Sequence, residues 1–389
     1  MEVLPLETVS QILEYLPLEQ RVRMEAVCKD WRRLLRYSWR RTSSYRLQGM
    51  IAPHLRKILA RSWEHLITVD FYHIELNCFN FGKVLVRPGN LRTLKIRKSY
   101  ISTENLMYFG DLLEETAIQH FVWDSNTIRP SKIKPKASRK KGQAGQAPVL
   151  MPADPAATIV NPLYDYGCGD SLLRNLLSFK LKAGLISLHL EGIELHSSSF
   201  LALCREVGST LERFCLKPSK CYMKARHLVQ GLTQLRCLKE LNVNGKSQKQ
   251  RQISRLLTDS SLGAIASEMG GSLEKLWMEN AATVGPQGLF ALLQMPKMQH
   301  LSVSGCHSID KKSFDGLRYA RNNDMPTVTL FAFNTRLGES SSHHKLKIHS
   351  SREERERAAD LMFGEKAVNM VFLAPSQDQC DLYETVAET

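Results

Sequence analysis

Apolar residues near the N-terminus recur with the period of a helix. Val9, Ile12, Leu13 and Leu16 stand at i, i+3, i+4 and i+7 and predict one amphipathic helix. Pro17 ends it, because the residue before a proline is pushed out of the helical region. A second short helix is expected from about Leu18, with Val22 and Ala26 on one side. A third carries Val27, Trp31, Leu34 and Leu35. Three such helices are too few to bury a self-sufficient core, so the module is expected to leave an apolar face for a partner.

Downstream the pattern changes to apolar-x-x-apolar-x-apolar, with starts at 66, 91, 118, 185, 211, 238, 273, 298 and, weakly, 325. The spacings are 25, 27, 67, 26, 27, 35, 25 and 27, and the two long ones each contain a polar or basic stretch that reads as an insertion. Each hexad ends in the alternation of a half-buried strand. Helical material lies between strands, as in Ser261–Ala266 and Gly288–Leu293. Units of this length with one strand each match leucine-rich repeats, in which stacked units share a core that no unit can bury alone. The runs beginning at Thr258-Asp259 and Gly305-Cys306 resemble the cysteine-containing repeat subtype, although most units lack its cysteine. The expected fold is α/β: a three-helix module at 1–47, then a leucine-rich-repeat solenoid of about nine strands at 48–333. Its parallel strands would line the concave face, with helices outside.

The N-terminal run LPLETVSQILEYLPLEQRVRMEAVCKDWRRLL resembles an F-box. The matching elements are Leu4-Pro5 with Glu7, Ile12-Leu13, Leu16, Val22 and the Val27-Cys28-x-x-Trp31 ending. Gln20-Arg21 departs from the acidic-then-apolar pair usual in that family and puts the local contacts of the second helix in question. The resemblance implies docking on a Skp-type adaptor and, through it, on cullin and RING subunits. Leu4, Pro5, Ile12, Leu13, Leu16, Val22, Val27 and Trp31 are the implied adaptor-binding residues.

Strand residues alternate between core and open face, so the outward triplets follow from the hexads. From the first strand to the last they run Thr68/Asp70/Tyr72, Thr93/Lys95/Arg97, His120/Val122/Asp124, Ser187/His189/Glu191, Arg213/Cys215/Lys217, Glu240/Asn242/Asn244, Lys275/Trp277/Glu279, His300/Ser302/Ser304 and Thr327/Thr329/Phe331. Lys95, Arg97, His189, Arg213, Lys217, Asn242, Trp277 and Glu279 are the candidate substrate-binding residues. Lys95/Arg97 and Arg213/Lys217 form two basic spots, and the second is a candidate phosphate acceptor. An outward Trp277 fits either an interface anchor or a side chain covered from within the chain. Phe331, on the last and weakest strand, reads as a cap residue.

Charge changes the picture less than it promises. The 389 residues include 53 Lys and Arg against 39 Asp and Glu, a formal +14. Residues 29–46, 129–141 and 246–255 together carry +17, which leaves −3 for the rest. The expected face, with five basic and five acidic residues, is therefore balanced. The proline-rich stretch 125–170 is expected to be a disordered basic insertion, with 129–141 a possible nuclear localisation signal or nucleic-acid patch. A smaller insertion is expected at 246–256. Beyond 333 the repeat is expected to stop, giving way to a loop, a charged helix opening at Ser351 and an acidic tail whose charge suits the basic spots.

Candidate chemistry is sparse. Nine scattered cysteines with no CxxC pair write no zinc ribbon, and no metal or cofactor is expected. Cys306-His307 reads as a structural turn, and His343-His344 lacks further ligands. No phosphate-binding loop, HExxH helix or GxSxG elbow occurs, so no catalytic residue is assigned and the chain is expected not to be an enzyme. Without a membrane span or a secretory signal pattern, a cytoplasmic or nuclear location is expected. The residues and the resemblance together point to a substrate-recognition subunit of an SCF-type ubiquitin ligase. A repeat scaffold or inhibitor without ligase function, and a nuclear nucleic-acid-associated protein, are the alternatives.

Overall fold

The computed structural model describes residues 5–50, 52–76, 90–102, 118–129, 184–243, 253–278, 280–303, 305–306, 308, 325–331 and 346–349. The chain divides into two compact units, Met1–Leu238 and Lys239–Thr389.

Unit 1 opens with α1 (Leu6–Glu14), α2 (Leu18–Met24) and α3 (Lys29–Arg41), followed by α4 (Ala52–Ser62). Leu13, Val22, Leu35 and Trp39 form the core of this helical cluster. Its sheet runs β1 (Ser44–Gln48), β2 (Thr68–Tyr72), β3 (Thr93–Arg97), β5 (His120–Asp124), β7 (Ser187–Glu191) and β9 (Arg213–Lys217), all parallel. Register is maintained without offset across the sheet. Leu47, Phe71, Ile96, Trp123, Leu190 and Leu216 are successive partners, and all lie in the core. Four three-residue strands form two further parallel pairs, β4 (Tyr100–Ser102) with β6 (Thr127–Arg129) and β8 (Glu194–His196) with β10 (Lys220–Tyr222). Two helices, α5 (Ser197–Val207) and α6 (Ala225–Leu232), pack so closely that a Cβ on Gly231 would stand 2.3 Å from the Phe200 ring.

After each strand of this sheet up to β7 the backbone turns through one left-handed residue: Gly49, His73, Lys98, Ser125 and Gly192. Each still donates its N–H to the next strand, as His73 does to Arg97 O at 3.0 Å and Lys98 to Asp124 O at 2.8 Å. The ladder therefore continues into the turn. Polar side chains fill the gap behind it. Asn126 accepts from Ser99 N–H at 2.8 Å and donates to Ile96 O at 2.6 Å, while Ser99 Oγ accepts from Ile74 N–H. Asn126→Ala leaves two buried backbone groups unpaired and is expected to cost about 2–3 kcal/mol, measured as a shift in the urea midpoint with unchanged slope.

Unit 2 repeats the scheme with β11 (Glu240–Asn242), β12 (Lys275–Trp277), β13 (His300–Ser302), β14 (Val328–Phe331) and β15 (Leu346–His349), again parallel. Thr258 and Ser261 form a reciprocal cap on α7 (Asp259–Met269), and α8 (Pro286–Leu293) packs on it. A Cβ on Gly288 would meet Asp259 Oδ1 at 2.6 Å.

Parallel strands thus occupy all nine hexad positions, and four boundaries expected from sequence are revised. Ser44–Gln48, placed in the helical module, is a strand of the sheet. Leu346–His349, placed beyond the repeat, pairs with β14, so Phe331 is not on the last strand. Both segments alternate apolar and polar residues but lack the leading apolar residue of the hexad. The expected insertion at 125 begins with a turn and β6, and 130–170 lies outside the described residues. In the smaller insertion Ile253 is fully buried and Ser254–Leu256 form a single 3-10 turn, while 246–252 is outside the description. The expected helix at Ser351, the acidic tail and His343-His344 also fall outside it.

Candidate functional site

The helical module owes its geometry to two buried charges. Arg21, the residue that departs from the F-box pattern, points back at the end of α1. Its Nε donates to Leu16 O at 3.0 Å and its Nη2 to Glu14 O, supplying carbonyls that the helix end leaves without partners. The guanidinium lies over the Trp39 ring, 5.7 Å from its centroid, and burial lowers its pKa. Glu25 closes α2. Its Oε1 accepts from Trp39 Nε1 at 2.8 Å, and its carboxylate takes Arg61 of α4 through Nε at 2.6 and 2.5 Å and through Nη2. One carboxylate therefore joins α2, α3 and α4.

With the core so fixed, the implied adaptor residues separate. Ile12 is 51% exposed and Val27 68%, and Pro5 is exposed as well. Leu16 and Trp31 are half-buried. Leu13 and Val22 are corrected: both are core residues, because the helix stripe is wide enough for Leu13 to turn inward while Ile12 turns out. Leu4 lies outside the described residues. Tyr15, 90% exposed, and Tyr37 also present large side chains on this module, although neither falls on an apolar period.

The face of the unit 1 sheet opposite its core carries three rows set by register. The first is Ser44, Thr68, Thr93, His120, Ser187 and Arg213; the middle row is Arg46, Asp70, Lys95, Val122, His189 and Cys215. The third is Gln48, Tyr72, Arg97, Asp124, Glu191 and Lys217. Neighbouring charges pair between adjacent strands and, for His189 with Glu191, along one strand. Arg97 binds Asp70 bidentately, with Nε 3.0 Å from Oδ1, and Arg46 Nε stands 3.9 Å from Oδ2. Glu191 lies between His189, at 3.1 Å, and Lys217, at 3.9 Å.

This lateral packing corrects most of the expected outward residues. Lys95 is only 3% exposed, and His189, Lys217 and Asn242 are buried too. Side chains on strands about 4.8 Å apart cover one another's flanks. Arg97 and Arg213 are half-buried. Arg213 and Lys217 are no phosphate pair, being four residues and about 13 Å apart on one strand. Trp277, flanked in register by Asn242 and Ser302, is 7% exposed and so covered within the chain. Glu279 lies outside the described residues. The expected charge balance changes as well, because β1 adds Arg46 to a unit 1 face that already holds more basic than acidic groups.

Burial by itself lowers the pKa of His189, but Cys215, which hydrogen-bonds to the ring from the facing position, and Glu191 raise it to about 9. The unfolded ring loses its proton near 6.5, whereas the folded ring keeps it to about 9. Its contribution is therefore complete below pH 6.5 and is lost as pH rises through 9. Lys217, beyond Glu191, is the remaining charge in this group. Wild-type stability is expected to fall by on the order of 2–3 kcal/mol between pH 6.5 and 9, and His189→Gln to remove most of that slope in denaturation measured across the range. His120 shifts the other way, lowered by burial and then by Arg213 and Lys95. In unit 2, Glu240 pairs with Lys275 at 2.9 Å, and burial and Lys275 lower the pKa of His300.

Among the described residues no group of three His, Cys, Asp or Glu side chains is placed to hold a metal ion. Nor is any described helix long and apolar enough to cross a membrane. The turn residue Cys306 is buried, while His307 lies outside the description.

Comparison with known proteins bears on the helical module. No curated protein matches the chain. Among solved structures it is similar to the crystal structure of the Rad7 and Elc1 complex in yeast, at 11% identity and a TM-score of 0.42, covering 90% of this chain and 92% of that one. The F-box-like family matches residues 1–44, the segment that forms α1 to α3 and the first residue of β1. The chain carries an F-box-like domain at its N-terminal end.

Proposed function

We propose that this chain is the substrate-recognition subunit of an SCF-type cullin-RING ubiquitin ligase. The F-box-like domain docks a Skp-type adaptor, which brings the cullin and RING subunits. The downstream strands are leucine-rich repeats whose open face holds a protein substrate. The chain has no catalytic residue of its own and contributes proximity, holding substrate near a charged conjugating enzyme. Such a subunit works in the cytoplasm or nucleus.

The observation that carries this reading is the apolar surface of the matched domain. Ile12 on α1 and Val27 on the turn between α2 and α3 stand exposed, on a module whose core is already complete without them. Spare apolar side chains on a small helical module are what a partner helix needs. The in-register parallel strands, at spacings of 25 to 27 residues outside the insertions, support the repeat assignment. Co-expression of the full chain with a Skp-type adaptor tests the reading: a stable one-to-one complex is expected on size exclusion, and elution of the two proteins apart would overturn it.

A further inference from the structure

The N-terminal end of the unit 1 strand face gathers basic groups around one aromatic ring. The Arg46 guanidinium lies 4.7 Å from the Tyr72 ring centroid and that of Arg97 5.3 Å, with Lys98 Nζ at 5.8 Å. Asp70 is the carboxylate within the cluster, and Arg97 takes both of its oxygens. Arg46 keeps only a loose contact with Asp70, and its side chain is 56% exposed. Lys98 is exposed on the turn after β3. On the far side of Arg97 the row becomes acidic at Asp124, which bounds the patch.

We propose that this patch docks a carboxylate-rich segment of a protein partner, with Arg46 and Lys98 as its ion-pairing residues and Tyr72 as the ring that positions them. The inference rests on the reading of the strand face as the substrate-binding surface and names the chemistry of what binds there. Three features favour it. Asp70 shows that the cluster holds a carboxylate in a bidentate grip, and it satisfies Arg97 while leaving Arg46 and Lys98 in excess. A ring face is a weaker partner than a carboxylate, so these cations are gathered without being neutralised. The same cations occupy the surroundings of the ring, which leaves no clear platform for stacking a base and disfavours nucleic acid. Burial and the nearby Arg97 and Arg46 lower the pKa of Lys95, against the pull of Asp70, as crowding of positive charge at this end requires.

The test uses the full chain and a fluorescein-labelled polyglutamate peptide followed by anisotropy, at about 50 and 300 mM salt. Arg46→Ala with Lys98→Asn is expected to weaken binding by about tenfold at low salt, as loss of two ion pairs implies. Asparagine tolerates the left-handed backbone at position 98. Arg205→Ala with Lys224→Ala removes the same charge from exposed positions off the face and is expected to change binding by less than about threefold. Asp70→Asn, which releases Arg97, is expected to tighten binding, an effect that a structural role alone does not produce. Equal losses in the patch and control variants would overturn the proposal, as would unchanged binding in the patch variant. So would tighter binding of a DNA duplex of matched charge with the same dependence on Arg46 and Lys98. Should the double variant melt early, Lys98→Asn alone decides the matter at its exposed turn. Adaptor binding is measured on the same variants and is expected to be unchanged. Its absence in the wild type would defeat the ligase reading while leaving the peptide result to stand.

Discussion

Glu25→Ala is expected to destabilise unit 1 by about 3 kcal/mol, a large part of the stability of a typical domain. The carboxylate is buried, and its removal leaves Trp39 Nε1 without an acceptor and Arg61 without its counter-charge. Arg61 is partly exposed and recovers some hydration, which keeps the cost near the low end for breaking a buried pair. Glu25→Gln keeps an acceptor for Trp39 and is expected to cost about half as much. A double-mutant cycle between Glu25→Ala and Arg61→Ala should return a coupling above about 1 kcal/mol in chemical denaturation. Additive effects would show that the two side chains act independently and that α4 is held by apolar contacts alone.

The second large effect concerns the adaptor. In the proposed complex Ile12→Asp with Val27→Asp is expected to reduce adaptor binding by more than about a hundredfold, since each change places a charge in a desolvated interface. Both side chains are exposed in the chain itself, so its melting temperature should hardly move. Leu13→Asp is the contrasting case. It loses binding by unfolding the module, because Leu13 is buried beneath the same helix. Calorimetric titration of adaptor into each variant, paired with a thermal melt, separates the two causes. Full binding by the double variant would place the adaptor surface elsewhere, with Tyr15 and Tyr37 the next residues to change.

The particular residues show why some of this was legible and some was not. Val69 and Phe71, or Leu188 and Leu190, announce a strand because their neighbours on either side are polar and the interval to the next hexad repeats. β1 was hidden because Tyr45 and Leu47 alternate without the leading leucine, and the segment directly follows a helical run. Arg21 looked like a flaw in the second helix. Its value lies in carbonyls at Glu14 and Leu16, several residues back in the chain, which no pattern in α2 reveals. Lys95, His189 and Lys217 lie on the face that alternation predicts, yet all three are buried there. Alternation says which way a side chain points, whereas its neighbours on the next strands decide whether it stays exposed.

By itself the sequence determined nine of the strands, the face on which their described residues lie and the F-box-like helices. These follow from periodicity and from prolines, which act over a few residues. Only the tertiary structure decided which charges are spent within the molecule. Asp70 with Arg97, Glu191 with Lys217, and Glu25 with Arg61 depend on side chains brought together by strand register and helix packing. Pairing energy depends on distance and burial, and the distance between residues 25 and 61 is set by the fold of the whole unit.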